Sequence, residues 1–144
     1  MEVLYDYIED DNGNKNYALG IFPYYAKQQM MDRINCIYHG KYQDIEVVGF
    51  KTQFTFAHRT NGEVPYLFEN IRGYGMDKES LGEGIHYKNF MGTYLIGPLL
   101  IMNPDFTLDF MKNFVENPKL KYYDEMKEAF NIRVKEFKDK KTTL

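Results

Sequence analysis

Residues 92–104 read Gly92-Thr93-Tyr94-Leu95-Ile96-Gly97-Pro98-Leu99-Leu100-Ile101-Met102-Asn103-Pro104, and this stretch decides how the chain is read. Its first part continues an extended run from Phe90 to Leu95, rich in residues that suit a strand. Gly97-Pro98 breaks the run. Asn103 before Pro104 is then a helix start, because asparagine can cap the first turn and proline lacks only an N–H that the turn does not use. Strand gives way to helix here, and the chain reads as α/β.

Downstream, Phe106, Phe110, Met111 and Phe114 fall on one helical face, and Asn117-Pro118 ends that helix. A second helix from about Tyr122 to Lys138 carries Tyr123, Met126, Phe130, Val134 and Phe137 at helical spacing. Upstream the chain is β-rich. Arg33 to His39 alternates with Ile34, Cys36 and Tyr38 on one face and turns at His39-Gly40-Lys41; Ile45 to Phe50 is apolar enough to lie inside a sheet. Gln53 to Ala57 runs extended toward Asn61-Gly62, a hairpin-type dipeptide. Further strands are predicted at Tyr66 to Glu69 and Gly84 to Tyr87, with Gly73, Gly75, Gly82 and Gly84 marking loops. At the start, Val3, Leu4, Tyr7 and Ile8 sit near helical spacing, which predicts a short helix ending in the turn Asp10-Asp11-Asn12-Gly13-Asn14.

Composition narrows the function classes. With 144 residues the chain fits one domain with its own core, and 44% hydrophobic against 27% charged residues excludes a disordered chain. A net charge of -3 argues against nucleic acid or an anionic membrane as partner. The tail lysines Lys135, Lys138, Lys140 and Lys141 are interrupted by Glu136 and Asp139 and read as a solvated helix end. One cysteine makes no internal disulfide, the apolar run from Leu95 to Met102 is too short to span a bilayer, and the acidic start carries no secretory signal, so a cytoplasmic location is expected. Thirteen Tyr and eleven Phe suit strands and contact surfaces.

The catalytic inventory is thin. There is no nucleophile elbow, phosphate loop or zinc motif, and no cofactor or metal is predicted. Cys36 shares a strand face with Ile34 and Tyr38, which predicts a buried structural thiol. His39 in a turn, His58 in a charged loop and His86 in a strand have no sequence neighbour that would orient them as bases.

The stretch from Gly92 to Pro104 resembles the signature Gly-Thr-Tyr-x-His-Gly-Pro, apolar residues, Asn-Pro of class I glutamine amidotransferases of the cobyrinic/cobyric acid synthase type. The amidotransferase subunit of lipid II isoglutaminyl synthase is in the same group. Ala18-Leu19-Gly20-Ile21-Phe22 is similar to the family's Gly-Leu-Gly segment, and Val47-Val48-Gly49-Phe50-Lys51-Thr52-Gln53 to its strand Val-Gly-(Phe/Tyr)-Glu-x-His. The resemblance implies a partial flavodoxin-like domain over residues 1–115, with 116–144 a C-terminal helical extension.

Departures from the family pattern are chemical. The histidine position falls on Ile96, and the Glu and His of the Val-Gly-Phe strand are replaced by Lys51 and Gln53. The resemblance places the nucleophilic cysteine before Met1, which predicts a protein truncated before its nucleophile and without glutaminase activity alone. Gln53, Thr93 and Tyr94 are the expected lining of a relic substrate pocket. Expected partners are a synthase-like ligase subunit, a complementing N-terminal half or a second copy, and the alternative reading is a non-catalytic binding partner of a synthase-like subunit.

Overall fold

The computed structural model describes residues 1–143. It is mixed α/β, with eleven strands and three helices in the described residues. After a 3-10 turn at Glu2–Leu4 come β1 (Tyr7–Glu9), β2 (Lys15–Tyr17), β3 (Tyr24–Gln28), β4 (Ile34–Tyr42), β5 (Ile45–Gln53) and β6 (Thr55–Arg59). They are followed by β7 (Phe68–Arg72), β8 (Gly82–Glu83), β9 (Ile85–Tyr87), β10 (Phe90–Gly92) and β11 (Leu95–Ile96). The helices α1 (Leu99–Met102), α2 (Pro104–Met111) and α3 (Tyr123–Lys138) complete the chain. One sheet has the order β2-β1-β3-β6, a second β11-β5-β4-β7-β8, and β9 and β10 form a hairpin apart. Every pairing is antiparallel except that of β1 with β3.

The long β4–β5 hairpin is the backbone of the fold, in register from Ile34 opposite Gln53 to Tyr42 opposite Ile45. Val47 and Val48 are neighbours on opposite faces, and both are wholly buried. The sheet is therefore covered on both sides, as its continuous apolar run foretold. Ile37 and Val48 meet Phe130, Val134 and Phe137 of α3 and Met102 of α1. Tyr38, Tyr42 and Val47 meet Phe68, Leu95 and Phe106 of α2 on the other side. A third cluster, around Tyr5, Tyr24, Met76 and Ile85, joins the first sheet to the chain start.

Several sequence expectations are corrected. The predicted opening helix is a single 3-10 turn followed by strand β1, whose partner β3 stacks Tyr25 on Tyr7 at 5.0 Å. Two turns of isolated helix are too short to hold, and strand pairing satisfies the same backbone. The turn expected at His39-Gly40-Lys41 is interior strand. Gly40 sits at a register shift against β7, where a Cβ would come within 2.5 Å of Tyr38 Oη and 2.6 Å of the Glu69 carbonyl. The chain turns instead at Gln43-Asp44, with Gln43 at φ 51°. Asn61-Gly62 does turn, but β6 and β7 belong to different sheets, so no hairpin forms. Helix α2 ends at Met111, short of Asn117-Pro118, and Phe114 is 74% exposed.

Asn103 also departs from its expected role. Its main-chain carbonyl starts the helix, accepting from Thr107 N at 2.9 Å, but its side chain makes no cap. Buried to 1% exposure, it accepts from Val48 N at 2.8 Å and donates to the carbonyls of Val48 at 2.8 Å and Leu99 at 2.7 Å. Asn103→Leu leaves a strand N–H and two carbonyls unmet and is expected to cost about 2–4 kcal/mol in urea unfolding. Asn113→Ala, which loses one exposed bond to the Phe110 carbonyl, should stay within about 0.5 kcal/mol of the parent. Equal losses in the two variants would refute the clamp.

Candidate functional site

The predicted site residues converge where β5, β8 and the Thr93–Tyr94 segment meet. Strand β11 pairs with β5 so that Leu95 lies opposite Lys51 and Ile96 opposite Phe50. Residues opposite each other share a face and neighbours in a strand alternate, which sets Leu95, Lys51 and Gln53 on one face and Ile96 on the other. Ile96 is 44% exposed and stands beside Phe50, away from Gln53.

Glu83 is the centre of the buried side. Its carboxylate is fully buried and accepts from Thr93 Oγ1 at 2.6 Å and Tyr94 N at 2.6 Å, with Lys51 Nζ at 3.5 Å. Lys51 is equally buried; its ammonium also donates to the Gly75 carbonyl and lies 5.3 Å from the centre of the Tyr94 ring. Gln53 donates through Nε2 to the carbonyls of Thr55 at 2.8 Å and Met76 at 3.1 Å, while its Oε1 is buried without a partner. Lys51 and Gln53 thus clasp the loop at residues 75 and 76 from the same strand. Tyr94 Oη donates to Glu2 Oε1 at 3.3 Å, and Thr55 Oγ1 donates to the same oxygen.

Burial governs the protonation of this cluster. It drives the Lys51 ammonium below its ordinary value, an effect that Glu83 opposes. Burial likewise pushes the Tyr94 and Tyr5 phenols well above their usual range, with the Glu2 charge adding to both. At neutral pH the cluster holds two neutral phenols beside the Lys51–Glu83 contact.

The remaining candidates are dispersed. Cys36 lies opposite Lys51 in the β4–β5 ladder and is half-buried, less enclosed than its strand pattern predicts, beside a cavity of about 220 Å³ lined also by Arg72 and Thr142. His86 stands next to Tyr42 with ring centroids 5.8 Å apart. Six steps along the strand, roughly 20 Å, separate Tyr42 from Cys36, so no Cys36–His86 dyad forms. Two histidines do have carboxylate partners that sequence neighbours could not reveal: His39 with Glu46 at 3.2 Å and His58 with Asp77 at 3.0 Å. His58 holds the Asp77 carboxyl below its usual value, but no hydrogen bond joins His58 to a hydroxyl or thiol among the described residues. Among those residues no group of three or more His, Cys, Asp or Glu is placed to hold a metal ion, and no helix is long and apolar enough to cross a membrane.

The geometry and the signature from Gly92 to Pro104 can be set beside known proteins. No family model matches the chain. Over 105 residues, 72% of this chain and 40% of the relative, it is 29% identical to the lipid II isoglutaminyl synthase (glutamine-hydrolyzing) subunit GatD of Streptococcus pneumoniae. Over 101 residues, 70% of this chain and 40% of the relative, it is 35% identical to the subunit of the same name from Staphylococcus aureus. The chain is similar to GatD. It spans about 40% of the length of the GatD proteins it matches.

The buried pair makes two expectations. Glu83→Gln strands the Lys51 ammonium in a dry site and should cost about 3–5 kcal/mol in urea unfolding, with part recovered in the Lys51→Met/Glu83→Gln double variant. Between its lowered folded value and the unfolded value of 10.5, the folded Lys51 binds fewer protons than the unfolded chain, so stability should rise with pH across that window. Lys51→Met should flatten the rise, measured below about pH 9, where the tyrosines of the unfolded chain stay largely protonated. A rise of the same slope in both proteins would remove Lys51 as its cause.

Proposed function

We propose that this chain is a glutamine amidotransferase-like protein of the cobyric acid synthase type that has no glutaminase chemistry of its own and acts, in the cytoplasm, as a non-catalytic partner of a synthase-like subunit. The likeness to GatD, a subunit by its name, supports the amidotransferase-like part. One observation carries the loss of chemistry: Lys51, where the resemblance expects a carboxylate, is locked to Glu83 with both side chains fully buried. The other two positions agree. Ile96 offers a hydrocarbon where the resemblance expects the histidine, and it turns to the opposite face from Lys51 and Gln53. Amide attack near neutral pH needs an activated nucleophile with its base in reach, and neither Cys36 nor any histidine meets that need.

The finer architecture belongs to the same proposal. Residues 1–115 correspond to the part of a class I amidotransferase (flavodoxin-like) domain outside its parallel strands, since only β1 and β3 pair in parallel. Residues 116–144 are an extension whose helix α3 closes one sheet face. Ile96 in the edge strand β11 and Leu100 and Ile101 in α1, all more than 40% exposed, supply apolar side chains for the partner.

Glutamate release from glutamine tests the reading. The purified chain is expected to release no more than a blank, with Cys36→Ala unchanged and Ile96→His insufficient to start the reaction. Glutamate release abolished by Cys36→Ala would overturn it. In co-purification with a synthase-like ligase subunit, Ile101→Asp should reduce the amount retained, and retention equal to the parent would remove this face as the contact.

A further inference from the structure

The two outer strands of the first sheet are finished differently. β6 is closed: Ala57 N donates to the Met76 carbonyl at 3.1 Å, and the Thr55 carbonyl accepts from Gln53 Nε2 at 2.8 Å. β2 is open, and all of its residues are exposed. In an antiparallel pair only alternate residues exchange main-chain bonds. Asp10 N donates to the Asn14 carbonyl at 3.0 Å and Ala18 N to the Asp6 carbonyl at 2.9 Å, while Ile8 lies opposite Asn16. That alternation turns the main-chain groups of Asn16 toward β1 and those of Lys15 and Tyr17 away from it. Among the described residues no group meets the N–H of Lys15 or of Tyr17.

Open edges are as a rule guarded by an outward charge, a proline or a bulge. β2 has no proline, and its register with β1 is unbroken. Its one charge, Lys15, lies back over its own sheet, with the ammonium 4.4 Å from the centre of the Tyr7 ring. The edge is therefore free to pair. We propose that β2 is a homodimer contact, which joins the first sheets of two copies of this chain into one continuous sheet.

The edge fits a copy of itself in one register. Two such strands, antiparallel about a two-fold axis at Asn16, set Lys15 of each opposite Tyr17 of the other. Both positions face outward, so each pair exchanges both of its N–H···O bonds. Tyr17 stands 6.2 Å from Tyr7, and Tyr7 stacks at 5.0 Å on Tyr25, so the aromatic row of one copy runs into the basic position of the next. The Lys15 ammonium then lies between its own Tyr7 and the second copy's Tyr17, a cation between two rings. On the other face the two Asn16 amides meet at the axis, where side chains of a non-hydrogen-bonded pair come closest and each amide can both donate and accept. An axis at Lys15 would set the two lysines against each other. This surface is separate from Ile96 of β11 and the helix α1, where the synthase-like subunit is proposed to sit, so either contact can fail without the other.

Sedimentation velocity on the full chain, from about 10 µM to about 1 mM, tests the contact. A short edge pairing belongs with weak, transient interfaces, so a reversible dimer with a dissociation constant on the order of 100 µM is expected. Asn16 is exposed, so Asn16→Lys and Asn16→Asp should unfold at the temperature of the parent. Each variant sets like charges face to face at the axis and should weaken the dimer about tenfold. An equimolar mixture of the two sets opposite charges there and should associate more tightly than either alone. A change in net charge by itself would move the two variants in opposite directions, so loss in both with recovery in the mixture marks a residue that faces itself. A parent that stays monomeric at about 1 mM would overturn the proposal. So would a dimer that either variant leaves intact, or a mixture no tighter than its components.

Discussion

A carboxylate taken wholly out of water has to be met by donors and by charge, and Glu83 fixes much of this molecule by that demand. Its partners come from two segments: Lys51 of β5, and the Thr93 hydroxyl together with the neighbouring main-chain N–H of Tyr94. Strand β8 is two residues long and would have little hold on the sheet by ladder bonds alone. The same contacts aim the Gly92–Pro98 segment, so β11 meets β5 in the one register that buries Leu95 and turns Ile96 outward. From Tyr94 the network continues through Glu2 to Thr55 and so reaches the first sheet.

The other organising constraint is two-sided burial of the β4–β5 hairpin. A strand exposed on one face alternates, and this one does not, because α3 covers one side and α2 the other. Phe137 shows how the end of α3 is seated: it packs edge-on against Phe50 at 5.6 Å while its carbonyl accepts from Arg72. Asn103 does the corresponding work for α1 and α2. By pairing with both main-chain groups of Val48 it acts as an extra strand residue on the side of β5, and the two short helices are pinned to the sheet there.

The sequence was most legible where one physical cause dominated. The run from Ile45 to Phe50 announced a doubly buried strand, and the spacing of Phe130, Val134 and Phe137 announced α3. Reading failed where a local signal competed with tertiary contact. Gly40 looked like a turn and is a close approach of Tyr38 and Glu69; Asn103 looked like a cap and is a clamp. The true hairpin turn uses Gln43 and Asp44, which carry no strong turn signature, so nothing local marked it. Of the candidate site, Thr93 and Tyr94 do share one cluster, and Gln53 lies along the same strand face as Lys51. Their organiser, Glu83, was invisible because an isolated glutamate between two glycines gives no hint of the lysine that lies 32 residues before it in sequence.

On the proposed reading, the Lys51–Glu83 pair also bears on how the site differs from the amidotransferase pattern. A glutamate at position 51, as the amidotransferase pattern has it, would set a second carboxylate against Glu83 in a place with no solvent. Two such groups cannot both stay ionised there, so one would hold a proton and the cluster would lose its compensating charge. Conversely, a lysine at 51 without Glu83 would be a buried, unmet cation. Each residue makes the other costly to change alone, and a return to the amidotransferase pattern would need both to change together. The hydrocarbon at Ile96 adds no such lock, since it is half in solvent on the far face. The departure at 96 is therefore open to reversal by a single substitution, whereas the departure at 51 is held in place by the packing around Glu83.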